Sequence, residues 1–150
     1  MKKLIIPHPE KKSRDVTKDD EQMILEDMKH LYALCFKPSG RFPSALALAH
    51  VQIEGKDPLR FFVKKDGGVY INPVITFKIQ PYIHNEGCMS FPDKPPKDVQ
   101  RNNVIDIEYI LANTKDTKID MTNKMTTRVS GINAAVVQHE LEHFSLNLLY

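Results

Sequence analysis

The chain has 150 residues, of which 41% are hydrophobic and 27% charged, and its formal net charge is +2. That is the make-up of one globular domain, 1–150, with enough apolar material to bury a core without disulfides. So small a charge gives no reason to expect direct contact with nucleic acid or an anionic membrane. No apolar run approaches the roughly 20 residues of a membrane helix. Pro7 and His8 cut the apolar start too soon for a secretion signal, so the cytoplasm is the expected location. Cys35 and Cys88 are then expected as free thiols, Cys35 in the core.

From Asp19 to Phe36, apolar residues at Ile24, Met28, Leu31 and Cys35 recur at the spacing of a helix with one buried stripe. Asp19 and Asp20 suit its positive end, and Lys37-Pro38-Ser39-Gly40 stops it. Short runs divided by turn residues follow. Ala45 to Ile53, Leu59 to Lys64, Val69 to Phe77 and Val104 to Leu111 read as strands. The proline-rich stretch Phe91 to Pro96 must be a loop. Ser130 is placed to cap a final helix reaching about Asn147. The order predicts an α+β domain, a mostly antiparallel sheet packed around the C-terminal helix, with a second helix near the N-terminus.

That final helix contains Gln138-His139-Glu140-Leu141-Glu142-His143. Residues four apart share a helix face, so His139 and His143 can hold one divalent metal, with Glu140 placed to handle a water proton. A bare histidine pair also arises on solvated helix faces, so the third ligand decides its meaning. The residues after His143, Phe144 to Tyr150, offer none. Upstream, Glu86-Gly87-Cys88-Met89-Ser90 presents a cysteine beside a glycine, and a Cys-His-His set leaves a fourth position open. His50 and His84 read as ordinary polar residues rather than ligands.

These two motifs resemble signatures of the peptide deformylase family. The resemblance extends to Ile5-Ile6-Pro7-His8-Pro9, to Ile71-Asn72-Pro73, to Arg101 between the motifs, and to Ala45-Leu46-Ala47-Leu48-Ala49-His50-Val51-Gln52 as a first motif. It implies one divalent metal, natively iron with zinc, nickel or cobalt as substitutes, held by Cys88, His139 and His143. It implies Glu140 as general base and then acid, and Gln52 with the Met89 N–H as donors to the developing oxyanion. Ala45, Leu46, Ala47, Glu86, Gly87 and Arg101 would contact or orient the substrate, with Glu86 acting through Arg101. The implied substrates are nascent formyl-methionyl peptides, met near the ribosome by a monomeric enzyme. The short C-terminus is expected to mark a minimal form, like those of phages and some bacteria.

The departures fall in the first motif. Ala45 and Ala47 stand where the family has glycines, and His50 where it has a small residue, so the groove is expected to be altered. Glu142 stands where the family usually has aspartate. Two alternatives therefore accompany the deformylase reading: a small metal hydrolase with changed N-acyl-peptide specificity, and a non-catalytic homologue that binds metal or peptide.

Overall fold

In the computed structural model, which describes residues 1–150, the first helix, α1, spans Glu21–Cys35 and follows a 3-10 turn at Lys18–Asp20. Asp20 fixes its start. The carboxylate accepts the Thr17 N–H at 2.8 Å and takes the Arg14 guanidinium at 2.7 and 3.0 Å. Ile24, Met28, Leu31 and Cys35 are all fully buried, as their spacing predicts.

Five strands form one sheet in the order β1-β2-β3-β4-β5, every neighbouring pair antiparallel. They are β1 (Ala47–Ala49), β2 (Phe61–Lys64), β3 (Gly68–Glu86), β4 (Lys97–Asn113) and β5 (Lys124–Ser130). The last helix, α2, spans Gly131–Ser145. The two helices cover opposite faces. Leu48, Phe61 and Val63 join the α1 residues in one core, while Ala47, Ala49 and Phe62 join Ala134, Val137 and Phe144 of α2 in the other. A sheet buried on both faces needs continuous apolar runs, which is why Ala47-Leu48-Ala49 and Phe61-Phe62-Val63 do not alternate with polar residues.

The strand expected from Ala45 to Ile53 is much shorter, because its own polar side chains end it. The Gln52 Oε1 accepts the Ala49 N–H at 2.8 Å, and residues His50–Gln52 wind into a 3-10 turn. His50 Nδ1 accepts the Leu59 N–H at 2.9 Å, so Nε2 carries the proton and donates to Asp27 at 2.7 Å. Lys2 reaches the same carboxylate at 2.9 Å. His50 is therefore a buried, hydrogen-bonded residue under α1.

β3 and β4 run well beyond the apolar stretches that marked them, since main-chain pairing does not require apolar side chains. A bulge breaks their register at Asn72-Pro73, where the proline has no N–H to give. Asn72, with φ 50°, uses its amide to bond Val16 N–H at 2.8 Å and Val16 C=O at 3.0 Å, tying the N-terminal segment to the sheet. β5 was not foreseen. Its threonines and lysine carry no apolar alternation. Ser130 occupies the N-cap position of α2 without a side-chain capping bond, and the helix ends at Ser145, short of Asn147, with Leu146 left-handed.

The Asp20 contacts give a testable consequence. The Arg14 guanidinium, helped by the Thr17 N–H, holds this carboxyl down at about 2. A depressed carboxyl stabilises the fold above its unfolded value of 3.8, and that contribution is lost as pH falls towards about 2. Asp20→Asn should lower stability by about 1 kcal/mol at pH 7, because it takes the charge out of the paired bonds to Arg14. In urea denaturation, the gap from the wild type should close as the pH drops through that window.

Candidate metal centre and peptide cleft

Helix α2 and the turn after β3 bring three ligand-type side chains together. Cys88, His139 and His143 are buried or nearly so, with their ligand atoms all within 4.8 Å of one another. Cys88 Sγ lies 3.8 Å from His143 Nε2, which lies 3.1 Å from His139 Nε2. Ligands held at roughly 2.0–2.3 Å around a tetrahedral ion sit about 3.3–3.6 Å apart, so this spacing fits a metal. Two imidazole nitrogens facing each other at 3.1 Å must share a proton or a metal ion, and Cys88 Sγ supplies a third donor atom for the latter. The residues present therefore fit a thiolate-imidazole metal site with one position left open.

Glu86 ends β3 and organises the surroundings. Its carboxylate takes His139 Nδ1 at 3.0 Å, His84 Nδ1 at 2.9 Å and the Arg101 fork at 2.7 and 2.8 Å. Arg101, from β4, also binds Glu142 of α2, so the glutamate in place of aspartate still reaches its partner. Burial works against a charge on Glu86, yet His139, Arg101 and His84 hold it down at about 2. Burial likewise opposes a charge on His139, but the Cys88 thiol and Glu86 overcome it and raise it to about 10. Surroundings that favour a proton on this imidazole favour a metal ion too. For His143, burial and then the His139 charge act together and hold it well below its ordinary value.

Glu140 is 3% exposed, and its Oε2 has no hydrogen-bond partner. Burial raises it to about 7, with His139 opposing and Glu86 adding to the shift. Gln52 is fixed from both ends. Its Oε1 holds the Ala49 N–H, and its Nε2 donates to Ser90 Oγ at 2.9 Å while lying 3.9 Å from Cys88 Sγ. The Met89 N–H is taken up by none of the main-chain hydrogen bonds.

A cleft of about 320 Å³ opens over this cluster. Ala45, Leu46 and Ala47 form one wall, Glu86, Gly87, Cys88 and Met89 another, and Ile132, Ala135 and Val136 of α2 a third, with His139 and Glu140 inside. Of the positions named from sequence as substrate contacts, Arg101 alone lies away from the cleft, 3% exposed behind Glu86. His50 is also outside it, so the altered groove comes down to Ala45 and Ala47. Neither has a positive φ, so alanine strains no backbone there. Gly87 is needed for closeness: a Cβ on it would sit 2.5 Å from the Phe42 ring.

Sequence reasoning missed His8, Phe42, Ser90 and the role of His84 in this assembly. Ser90 lay within the cysteine motif and could have been read as a partner for a buried amide. His8 lay in a stretch that carries the resemblance but gave no role of its own, and Phe42, a single loop residue, has no periodicity to mark it.

The family model for polypeptide deformylase matches residues 4–150. The chain belongs to that family. A peptide deformylase of Pelagibacter ubique is 29% identical, the match covering 94% of this chain and 80% of that protein. One from Psychrobacter cryohalolentis is 38% identical over 51% of this chain and 38% of its own length. Among solved structures, the peptide deformylase of Thermotoga maritima superposes with a TM-score of 0.74 at 24% identity, covering 96% of this chain and 91% of that one. A probable peptide deformylase from a Synechococcus phage gives 0.70 at 22% identity, covering 99% and 97%. The family is metal-dependent, and membership makes this protein a hydrolase of the deformylase class, serving protein biosynthesis. No helix is long and apolar enough to cross a membrane.

Arg101 ties the buried Glu86, which also holds His139, to the half-buried Glu142, so its loss should be costly. Arg101→Leu should destabilise the protein by about 3 kcal/mol, because the buried Glu86 would lose its permanently charged partner and keep only the two histidines. Urea denaturation of wild type and variant checks this.

Proposed function

We propose that the protein removes the N-formyl group from formyl-methionyl peptides, with Glu140 moving the proton and Cys88, His139 and His143 holding one divalent metal. The observation that carries this reading is the buried, unpartnered Oε2 of Glu140 in the cleft beside the ligand cluster. Such an atom calls for a proton or a polar ligand. A divalent metal held there supplies a Lewis acid and lowers the pKa of a nearby water. A thiolate with two imidazoles suits iron, nickel, cobalt or zinc.

The chain's own groups supply the rest. Glu140 Oε2 takes a proton from the attacking water as its oxygen joins the formyl carbon. The C–N bond then breaks, formate leaves, and Glu140 passes the proton to the released amine nitrogen. The second N–H of Gln52, which lies towards Cys88 Sγ at 3.9 Å, would turn to the formyl oxygen as it gains charge, beside the free Met89 N–H. Each such donor contributes ~3–4 kcal/mol to the transition state.

The cleft supports the substrate class. β1 is an edge strand whose only neighbour is β2, so an extended peptide can add along its open side at Ala47. Ile132, Ala135 and Val136 give an apolar bay suited to the unbranched, adaptable methionine side chain. A relative from Synechococcus elongatus was solved in complex with actinonin, which supports a ligand-binding cleft on this fold. We assign the metal ligands, the proton carrier and the oxyanion donors on this basis.

One assay tests the reading. Cobalt-loaded protein should release formate from formyl-Met-Ala-Ser and leave acetyl-Met-Ala-Ser intact. Glu140→Gln should retain the metal and lose at least ~100-fold in kcat. Equal turnover of the acetyl peptide would favour changed N-acyl specificity, and no turnover of either would favour a binding homologue. A fully active glutamine variant would remove Glu140 from its role.

A further inference from the structure

The two histidines of the cluster are held differently. His139 has its second nitrogen on the Glu86 carboxylate at 3.0 Å, whereas His143 Nδ1 is buried with no partner. The Nε2 of His143 faces Cys88 and His139, so in the metal-holding state Nδ1 must carry the proton. A buried N–H without an acceptor costs about 1–3 kcal/mol, and ligand imidazoles nearly always give that proton to something.

His8 stacks on this ring. Their centroids are 4.9 Å apart and their planes 17° from parallel, with Phe91 behind His8 at 6.4 Å. His8 is 6% exposed, and its Nδ1 lies 2.8 Å from the Pro9 carbonyl. A carbonyl only accepts, so His8 carries its proton on Nδ1 and presents a bare lone pair at Nε2. That Nε2 is also buried and unpartnered. Ser13 donates its N–H to the carbonyl of Phe144, the residue after His143, at 3.0 Å, and its hydroxyl is a third buried atom without a partner.

We propose that His8 is a positioning residue for the metal: its Nε2 accepts, through one buried water, the Nδ1–H of His143, with Ser13 Oγ completing that water's bonds. Stacked rings cannot bond edge to edge directly, which is why the link runs through a bridge. A buried water typically makes about three hydrogen bonds to atoms that have no other partner, and here a donor, an acceptor and a hydroxyl are available. The link fixes the tautomer and orientation of His143, as Glu86 does for His139. The loop before α1 thereby becomes the outer wall of the metal centre. This inference rests on the metal ligands assigned above.

His8→Phe tests it, because phenylalanine keeps an aromatic ring stacked on His143 and Phe91 while removing the Nε2 lone pair, together with the Nδ1–H given to the Pro9 carbonyl. Cobalt-loaded variant and wild type are mixed with excess chelator, and the loss of cobalt is followed by absorbance. The variant should lose cobalt ~10–100-fold faster, with unchanged circular dichroism. Loss within about twofold of the wild type would overturn the proposal, since stacking alone would then suffice. A second measurement needs no variant. In zinc-loaded, nitrogen-15-labelled wild type, imidazole correlations should show His143 protonated at Nδ1 and His8 protonated at Nδ1 only. A proton on His8 Nε2 would overturn the link, whereas failure to bind cobalt or zinc at all would refute the ligand assignment instead.

Discussion

One buried carboxylate holds this site together. Glu86 sits where β3 ends, and it is bonded at once to β4 through Arg101, to α2 through His139, and to His84 on its own strand. Without that charge the second nitrogen of His139 would have no acceptor, and Arg101 would keep only Glu142. The turn that carries Cys88 follows directly, so the carboxylate also fixes where the thiol meets the two imidazoles. Fold and site are coupled here. The ends of the long β3–β4 hairpin and the face of α2 meet at a charged cluster, which is stable because every member has a partner.

The surroundings of that cluster divide the labour. On one side, carboxylates favour a cation at the ligand atoms. On the other, the apolar faces of α2 and β1 exclude water from Glu140, which raises its carboxyl towards neutrality and keeps one oxygen free. Gln52, clamped by Ala49 and Ser90, is held buried beside Cys88. The alanines at 45 and 47 line the cleft without straining the chain, so their methyls occupy cleft space and cost nothing in backbone conformation. His50 acts elsewhere, anchoring α1 to the loop ahead of β2.

Much of this was legible in the sequence because spacing and chemistry coincided. Residues four apart on a helix could only share a face, and a cysteine beside a glycine stood out against an otherwise thiol-poor chain. α1 was readable from its apolar stripe, and the cores of β2, β3 and β4 from their apolar runs. What escaped depended on contacts far apart along the chain. The end of β1 is set by Gln52 reaching back to a main-chain N–H, and β5 is an edge strand whose pairing to β4 needs no apolar pattern. His8 meets His143 only because Ile5 bonds Gln52 and Ser13 bonds Phe144, contacts no local pattern encodes. The partnership of Glu86 with Arg101 was implied by the resemblance, but that Arg101 lies behind Glu86 and out of the cleft is seen only in the fold.

The central claim is a metal held by one sulfur and two imidazoles with an open fourth place. X-ray absorption at the metal edge of cobalt- or zinc-loaded protein tests it most directly. The account predicts one sulfur at about 2.3 Å, two imidazole nitrogens at about 2.0–2.1 Å and one further light atom. A shell of nitrogen and oxygen alone, with no sulfur, would contradict it.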